Sequence, residues 1–262
     1  SATAPVEYLL SVTDWRGVFM GLSLVTLTVA LLVWLAVPDK PATVQPTPLR
    51  EQGRGVWQVF SSPVFWRAAP WATLSQATFL SLQSLWSGPW LRDVGGLDRG
   101  PVATVLFWTA GAMVIGYVLM GILAERLSRA GIRPMTLAGT GMLLFMLCQA
   151  AMILGWRLPP MLLWMVFGFS GTSGILVYAD LSQRFPAHLA GRVNTGLNLL
   201  VFVAAFAAQW GVGAVIDLWP STVIGYAPEG YRAGFGLLLS LQVLAALWFA
   251  GVHWKMETGS RS

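Results

Sequence analysis

Seven stretches of this chain carry no charged residue, at 17–38, 68–91, 100–124, 134–156, 158–179, 193–216 and 233–254, and each has at least twenty residues. A helix needs about 20 predominantly apolar residues to cross the hydrocarbon of a bilayer, so each stretch reads as one membrane-spanning helix. Only 10% of the residues are charged and 56% are hydrophobic, whereas an ordinary soluble domain is about a quarter charged. Core helices of a large soluble protein would show much shorter apolar runs with polar faces between them. The sequence therefore predicts an all-α membrane protein, a polytopic bundle of seven transmembrane helices.

The 16 basic residues outnumber the 11 acidic ones, but they are scattered over short loops and not gathered on one face, as a nucleic-acid surface would require. With spans alternating in direction, one side carries Lys40, Arg50, Arg54, Arg67, Arg126, Arg129, Arg133, Arg184, Arg192, Lys255 and Arg261. The other carries Arg16, Arg92, Arg99, Arg157 and Arg232. The bias of eleven to five places the first group in the cytoplasm, together with the linker 38–65 and the tail 255–262. The expected location is a bacterial cytoplasmic (inner) membrane. The single cysteine, Cys148, lies inside an apolar run and reads as a small core residue, so neither a disulfide framework nor a thiolate metal cluster is available. No cofactor and no metal site is expected. The chain opens on SATAPVEYLLSVTDWR without an initiator Met; residues 1–13 read as the remnant of an earlier transmembrane helix, so a preceding part of the protein is expected.

The first span, 16–36, ends at a stretch where Pro38, Pro41, Pro46 and Pro48 oppose helix. This is the only long polar linker, and VWQVFSSPVFWR after it suits a short interfacial segment. Short connections join the later spans and force neighbouring helices to run antiparallel, giving a six-helix bundle over 66–254. Tryptophans including Trp15, Trp34, Trp66, Trp71, Trp90, Trp156, Trp219 and Trp254 sit near span ends and suit an aromatic belt.

Polar residues inside the spans fall into stripes. Gln76, Gln83 and Ser87 lie within about 40° of one another at 100° per residue, and Asn194, Asn198 and Gln209 within about 60°. Amides are costly in hydrocarbon unless they meet protein or a wet cavity, so both stripes should face inward. Two readings stay open for each amide: a hydrogen bond between helices, or the lining of a shared substrate cavity. Gly168, Gly171 and Gly174 spread over one face of about 120°, which permits close helix approach. Thr172, Ser173 and Tyr178 add hydroxyls to the same helix. Thr172 and Ser173 join the cavity candidates, although a hydroxyl is also satisfied by its own backbone. GFSG at 168–171 resembles the serine motif of rhomboid intramembrane proteases, which would make the protein an enzyme. Ser170 lies about 18 Å along its helix and His253 about 30 Å along a helix running the same way, with His188 in a loop, so neither imidazole reaches the hydroxyl.

GILAERLSRAGIRP, at 121–134, concentrates charge between two apolar spans. It resembles the degenerate second copy of the signature loop of the major facilitator superfamily, in which a helix ends in Gly, followed by an acid, a base and further bases. Gly121, Glu125, Arg126, Arg129, Gly131 and Arg133 match, with Glu125 where the family more often has Asp. DWRGVFMGLS resembles the start of the family's sixth helix, FSSPVFWRAAPW the approach to its seventh, and FPAHLAGRVNTGLN the junction of its tenth and eleventh. The resemblance implies the C-terminal half of a secondary active transporter, from the end of the fifth helix through the twelfth, moving a small solute by alternating access and not acting as an enzyme. It implies as partners a small-molecule substrate, the lipid bilayer and a missing N-terminal helix bundle. An inactive truncated half is the further alternative. It also implies that 68–90, 101–124, 159–181 and 192–217 line the cavity, and that 16–36, 134–155 and 233–253 are outer helices with fewer strong polar groups. All eleven acids lie in loops or at helix ends, so no proton-relay carboxylate is found at mid-membrane.

Overall fold

The computed structural model describes residues 4–37, 48–156, 158–221 and 225–258. The proline-rich part of the linker, 38–47, Arg157, residues 222–224 and the end of the tail, 259–262, lie outside the described residues, as does the start of the 1–13 remnant. The elements are α1 (Ala4–Val12), α2 (Trp15–Ala36), α3 (Leu49–Phe60), α4 (Pro63–Ser81), a π turn (Leu82–Trp86), α5 (Ser87–Asp93), α6 (Arg99–Arg129) and α7 (Pro134–Leu154). They continue with α8 (Pro160–Gly171), a 3₁₀ turn (Thr172–Gly174), α9 (Ile175–Gln183), α10 (Ala190–Ile216) and α11 (Pro228–Thr258). Among the described residues every regular element is helical.

Six helical rods are long and apolar enough to cross a membrane: Trp15–Ala36, Arg99–Arg129, Pro134–Leu154, Pro160–Gln183, Ala187–Ile216 and Pro228–Gly251. The seventh expected span, 68–91, falls within α4, the π turn and α5, which follow one another without a break in the chain. It differs because α4 carries Arg67 and several hydroxyls and amides and gives way to the π turn at Leu82.

Local chemistry sets the helix limits. Proline occupies the first turn of α4, α7 and α8, where a missing N–H leaves no hydrogen bond unmade. Asp14 caps α2 by accepting from the Gly17 N–H at 2.8 Å. Gly155, at φ 67°, closes α7 in the left-handed conformation that a side chain would disfavour. α2 buries none of its apolar window, whereas α7 buries 56% of its own and Pro160–Gln183 buries 61%. α2 thus presents hydrocarbon-like surface all round, and the remaining helices form the packed body.

Within that body α6 packs on α8, α10 and α11 on α4, and α7 on α8, α9 and α11. Lipid is as apolar as leucine, so close packing and hydrogen bonds, rather than escape from water, hold these helices together. One core gathers Phe79, Phe145, Trp164, Phe167, Tyr231 and Phe235; the other gathers Phe65, Trp71, Met142, Leu181 and Leu197 toward the arginine-rich end. Trp71 and Trp90, expected in the aromatic belt, are buried in these cores. Asp93 ties α5 to the start of α11, accepting from the Tyr231 hydroxyl at 2.7 Å and the Tyr226 N–H at 3.1 Å. A Cβ at Gly225 would lie 2.3 Å from Asp93 Oδ1, so that approach requires glycine.

Two expectations are corrected by these helices. The signature segment does not begin as a loop at Gly121: α6 runs on to Arg129, so Gly121, Glu125, Arg126 and Arg129 lie on its last turns. Glu125 and Arg129 form an ion pair one turn apart, and the reversal is made by Ala130–Arg133 with Gly131 at φ 81°. The linker, for its part, is helical over Leu49–Phe60. This segment is amphipathic, burying Val59 and resting Phe60 near Gly196 of α10.

Candidate substrate groove

The polar stripes depend on where the backbone leaves α-helical geometry. The π turn adds a residue to one turn of the rod, which offsets everything beyond it by about 100° relative to an unbroken α-helix. The stripe expected through Gln76, Gln83 and Ser87 is therefore broken. Ser87 is fully buried and donates its hydroxyl to the Gln83 carbonyl at 2.7 Å, and Gln83 stays half-buried within the turn. Ser84 faces α10 instead, where its Oγ accepts from Gln209 Nε2 at 3.0 Å. Trp86 Nε1 donates to the Gln209 carbonyl at 3.3 Å, so two hydrogen bonds stitch the π turn to α10.

The 3₁₀ turn has a comparable effect on the α8–α9 rod. Its tighter winding directs the Ile175 N–H to the carbonyls of Thr172 and Ser173, which leaves the Gly171 carbonyl without that partner. Gln76 fills the vacancy, donating from Nε2 to Gly171 O at 2.9 Å. Gly174 makes room for the amide, since a Cβ there would sit 2.2 Å from Gln76 Nε2. Thr172 and Ser173, named as cavity candidates, are fully buried and face other helices. Thr172 Oγ1 donates to Phe169 O and packs at Gly116 of α6, while Ser173 packs at Gly141 of α7.

Between α4, α9 and α10 a groove of about 540 Å³ remains, and Gln76, Tyr178, Asn194 and Asn198 line it with apolar walls of Leu80, Ile175, Val201 and Phe202. Tyr178 donates its hydroxyl to Asn198 Oδ1 at 3.3 Å, a long bond on an exposed side chain. Asn194 Oδ1 is buried and has no hydrogen-bond partner among the described residues. A buried acceptor left unpaired costs free energy, and here it borders an open cavity. Gln209 belongs to the same helix but lies roughly 16 Å beyond Asn198 along the axis. Each stripe is thus divided into two levels: the groove, and the stitch at the π turn.

Sequence reasoning named Gln76, Asn194 and Asn198, and the structure brings them together. It named Tyr178 only as a hydroxyl source, and it missed Ser84, whose inward direction arises from the π turn. Ser170, the serine of GFSG, is fully buried and donates to the Val166 carbonyl of its own helix at 2.7 Å.

A helical membrane-embedded bundle with a polar groove between α4, α9 and α10 defines the class: an integral membrane protein of polytopic α-helical type. The family model for the Major Facilitator Superfamily matches residues 3–209, and the chain belongs to that family. Among solved structures it is similar to the crystal structure of a bacterial homologue of the human lysosomal transporter Spinster, inward-facing and unoccupied. The TM-score is 0.59 and the sequence identity 18%, with 90% of this chain and 58% of that one covered. At that identity the likeness is one of fold, and this chain spans a little over half the length of that transporter. No curated protein sequence matches the chain.

Proposed function

We propose that the chain is the C-terminal half of a secondary active transporter, which moves a small solute across the cytoplasmic membrane by alternating access against an N-terminal helix bundle. The observation that carries this reading is the groove in which Asn194 Oδ1 is buried and unpaired beside Tyr178 and Asn198. Family membership supports transport as the activity, and rigid-body rocking of two halves about a central site is the mechanism such folds use. Asn194 and Asn198 would hydrogen-bond the solute while Ile175 and Phe202 contact its apolar parts, a pattern common to small-molecule sites. Ser170, with its hydroxyl given to its own helix, favours no enzymatic reading.

Transport by the full-length protein tests the proposal. Asn194→Ala should raise the substrate concentration for half-maximal transport about five- to a hundredfold, the equivalent of one lost buried hydrogen bond of about 1–3 kcal/mol. Unchanged apparent affinity at equal membrane abundance would remove Asn194 from the site.

We also infer that the arginine-rich end, with Arg126, Arg129, Arg133 and Arg184, faces the cytoplasm, on the eleven-to-five distribution of basic residues. With the buried Cys148 as the one native cysteine, an impermeant thiol reagent outside intact cells should label Ser221→Cys and spare Ser128→Cys. The reverse pattern would invert the topology.

A further inference from the structure

A second cavity, of about 330 Å³, opens at the arginine-rich end between α4, α7, α9 and α11. Arg67, Arg133 and Arg184 border it together with the carboxylate of Asp180. Asp180 is 7% exposed and accepts from Arg184 Nε at 2.7 Å and from Arg184 Nη2 at 3.2 Å. Hydrogen bonding to that carboxylate raises the Arg184 pKa above its ordinary value, so that guanidinium keeps its charge. Three arginines and one carboxylate thus border the cavity, and its other walls are apolar, including Met135 and Phe249, apart from Thr136. The Arg67 guanidinium stands over the Phe249 ring at 5.3 Å from its centroid, which holds that charge at the apolar wall.

The place of the cavity selects its occupant. α7 and α11 contribute to it, and farther along they expose Leu143, Leu147, Leu244 and Leu247, which are 49–66% accessible and form surface suited to acyl chains. Trp248 and Trp66 lie at the same end, with Trp248 Nε1 donating to the Trp66 carbonyl at 2.9 Å, and tryptophans of this kind mark the depth of lipid head groups. We propose that this cavity holds the phosphodiester head group of an acidic phospholipid, its oxygens on the guanidinium groups and its acyl chains running along α7 and α11. A basic pocket between spans is suited to such a head group because its charge attracts the phosphate and its rim continues into hydrocarbon. A bound lipid here would brace α4, α7, α9 and α11 at one end.

Native mass spectrometry of the purified chain in detergent, titrated with phosphatidylglycerol and phosphatidylcholine of identical acyl chains, tests this assignment. Phosphatidylglycerol should be retained preferentially. Arg133→Gln should reduce its affinity about fivefold, the effect of one arginine near a lipid phosphate, with the circular dichroism spectrum unchanged. Arg129→Gln, which removes a charge paired with Glu125 outside the cavity, should leave retention as it was. Equal retention of the two lipids, or equal losses from the two variants, would overturn a specific site. Inorganic phosphate displacing the lipid at comparable concentration would overturn the lipid as occupant and assign the cavity to a free anion.

Discussion

Two pairs of amides lie within the hydrophobic spans, and they differ in how they are satisfied. On the side of α7 and α11, Gln149 and Gln242 are both fully buried and exchange hydrogen bonds, with Nε2 of Gln242 donating at 3.0 Å and Nε2 of Gln149 at 3.4 Å. On the side of α4, α9 and α10, Asn194 is half-buried with an unpaired oxygen, and Asn198 is exposed on a 3.3 Å bond to Tyr178. The first pair is closed and lines neither the groove nor the arginine-bordered cavity; the second borders the groove. An amide in a membrane span therefore reads as a clamp when its partner is another buried amide, and as a candidate ligand contact when its bonding capacity is unfilled and its residue lines a groove.

The packed core between α4 and α8 should tolerate less change than either amide pair, and its glycine contact gives the largest expected loss. A Cβ at Gly171 would fall 2.2 Å from the Phe79 ring, which is itself buried against Phe145 and Phe167. Gly171→Ala should destabilise the bundle by about 3 kcal/mol through overpacking, read as the unfolding midpoint in detergent. A midpoint equal to that of the unsubstituted chain would show that the α4–α8 contact is loose.

The clamp comes next. Gln149→Leu leaves the buried Gln242 Oε1 without its donor, while Nε2 keeps only its 3.3 Å bond to the Leu238 carbonyl, and should cost about 2 kcal/mol, since a buried group stripped of its bond bears its desolvation penalty. Replacing both glutamines by leucine removes the two polar groups together and should restore most of the loss. A double variant less stable than either single one would mean that the pair contributes attraction well beyond mutual satisfaction.

These differences also mark what the sequence makes visible. The spans were legible because hydrocarbon imposes length and charge exclusion on every residue in turn, and six of the seven charge-free runs coincide with uninterrupted membrane-length rods. The groove was legible in part: Gln76, Asn194 and Asn198 line it, while Gln83 and Gln209, named in the same two stripes, lie at the level of the π turn. Ser87, Thr172 and Ser173 do not join them, because a π turn and a 3₁₀ turn rotate the residues beyond or within them, and a constant 100° per residue cannot register either. The outer helices were expected to hold few strong polar groups, yet Gln149 and Gln242 sit there. The signal was present, since a lone amide in each of two apolar runs requires a partner, but which helices adjoin is decided by packing across the whole bundle.

The smallest stability effect belongs to the open side, and it divides the two readings of Asn194. Replacing it by leucine removes an oxygen that has no partner among the described residues, so no hydrogen bond of the folded chain is lost. Stability should stay within about 0.5 kcal/mol of the unsubstituted chain or rise slightly, because an unsatisfied buried acceptor is exchanged for a group that needs none. Gln149→Leu, an equally apolar exchange at a closed site, should lose about 2 kcal/mol in the same assay. The contrast in unfolding midpoint between the two variants is thus the measurement. If Asn194→Leu destabilises as much as Gln149→Leu, the asparagine has a structural partner in the membrane-embedded protein, and the groove loses the polar group best suited to hold a solute.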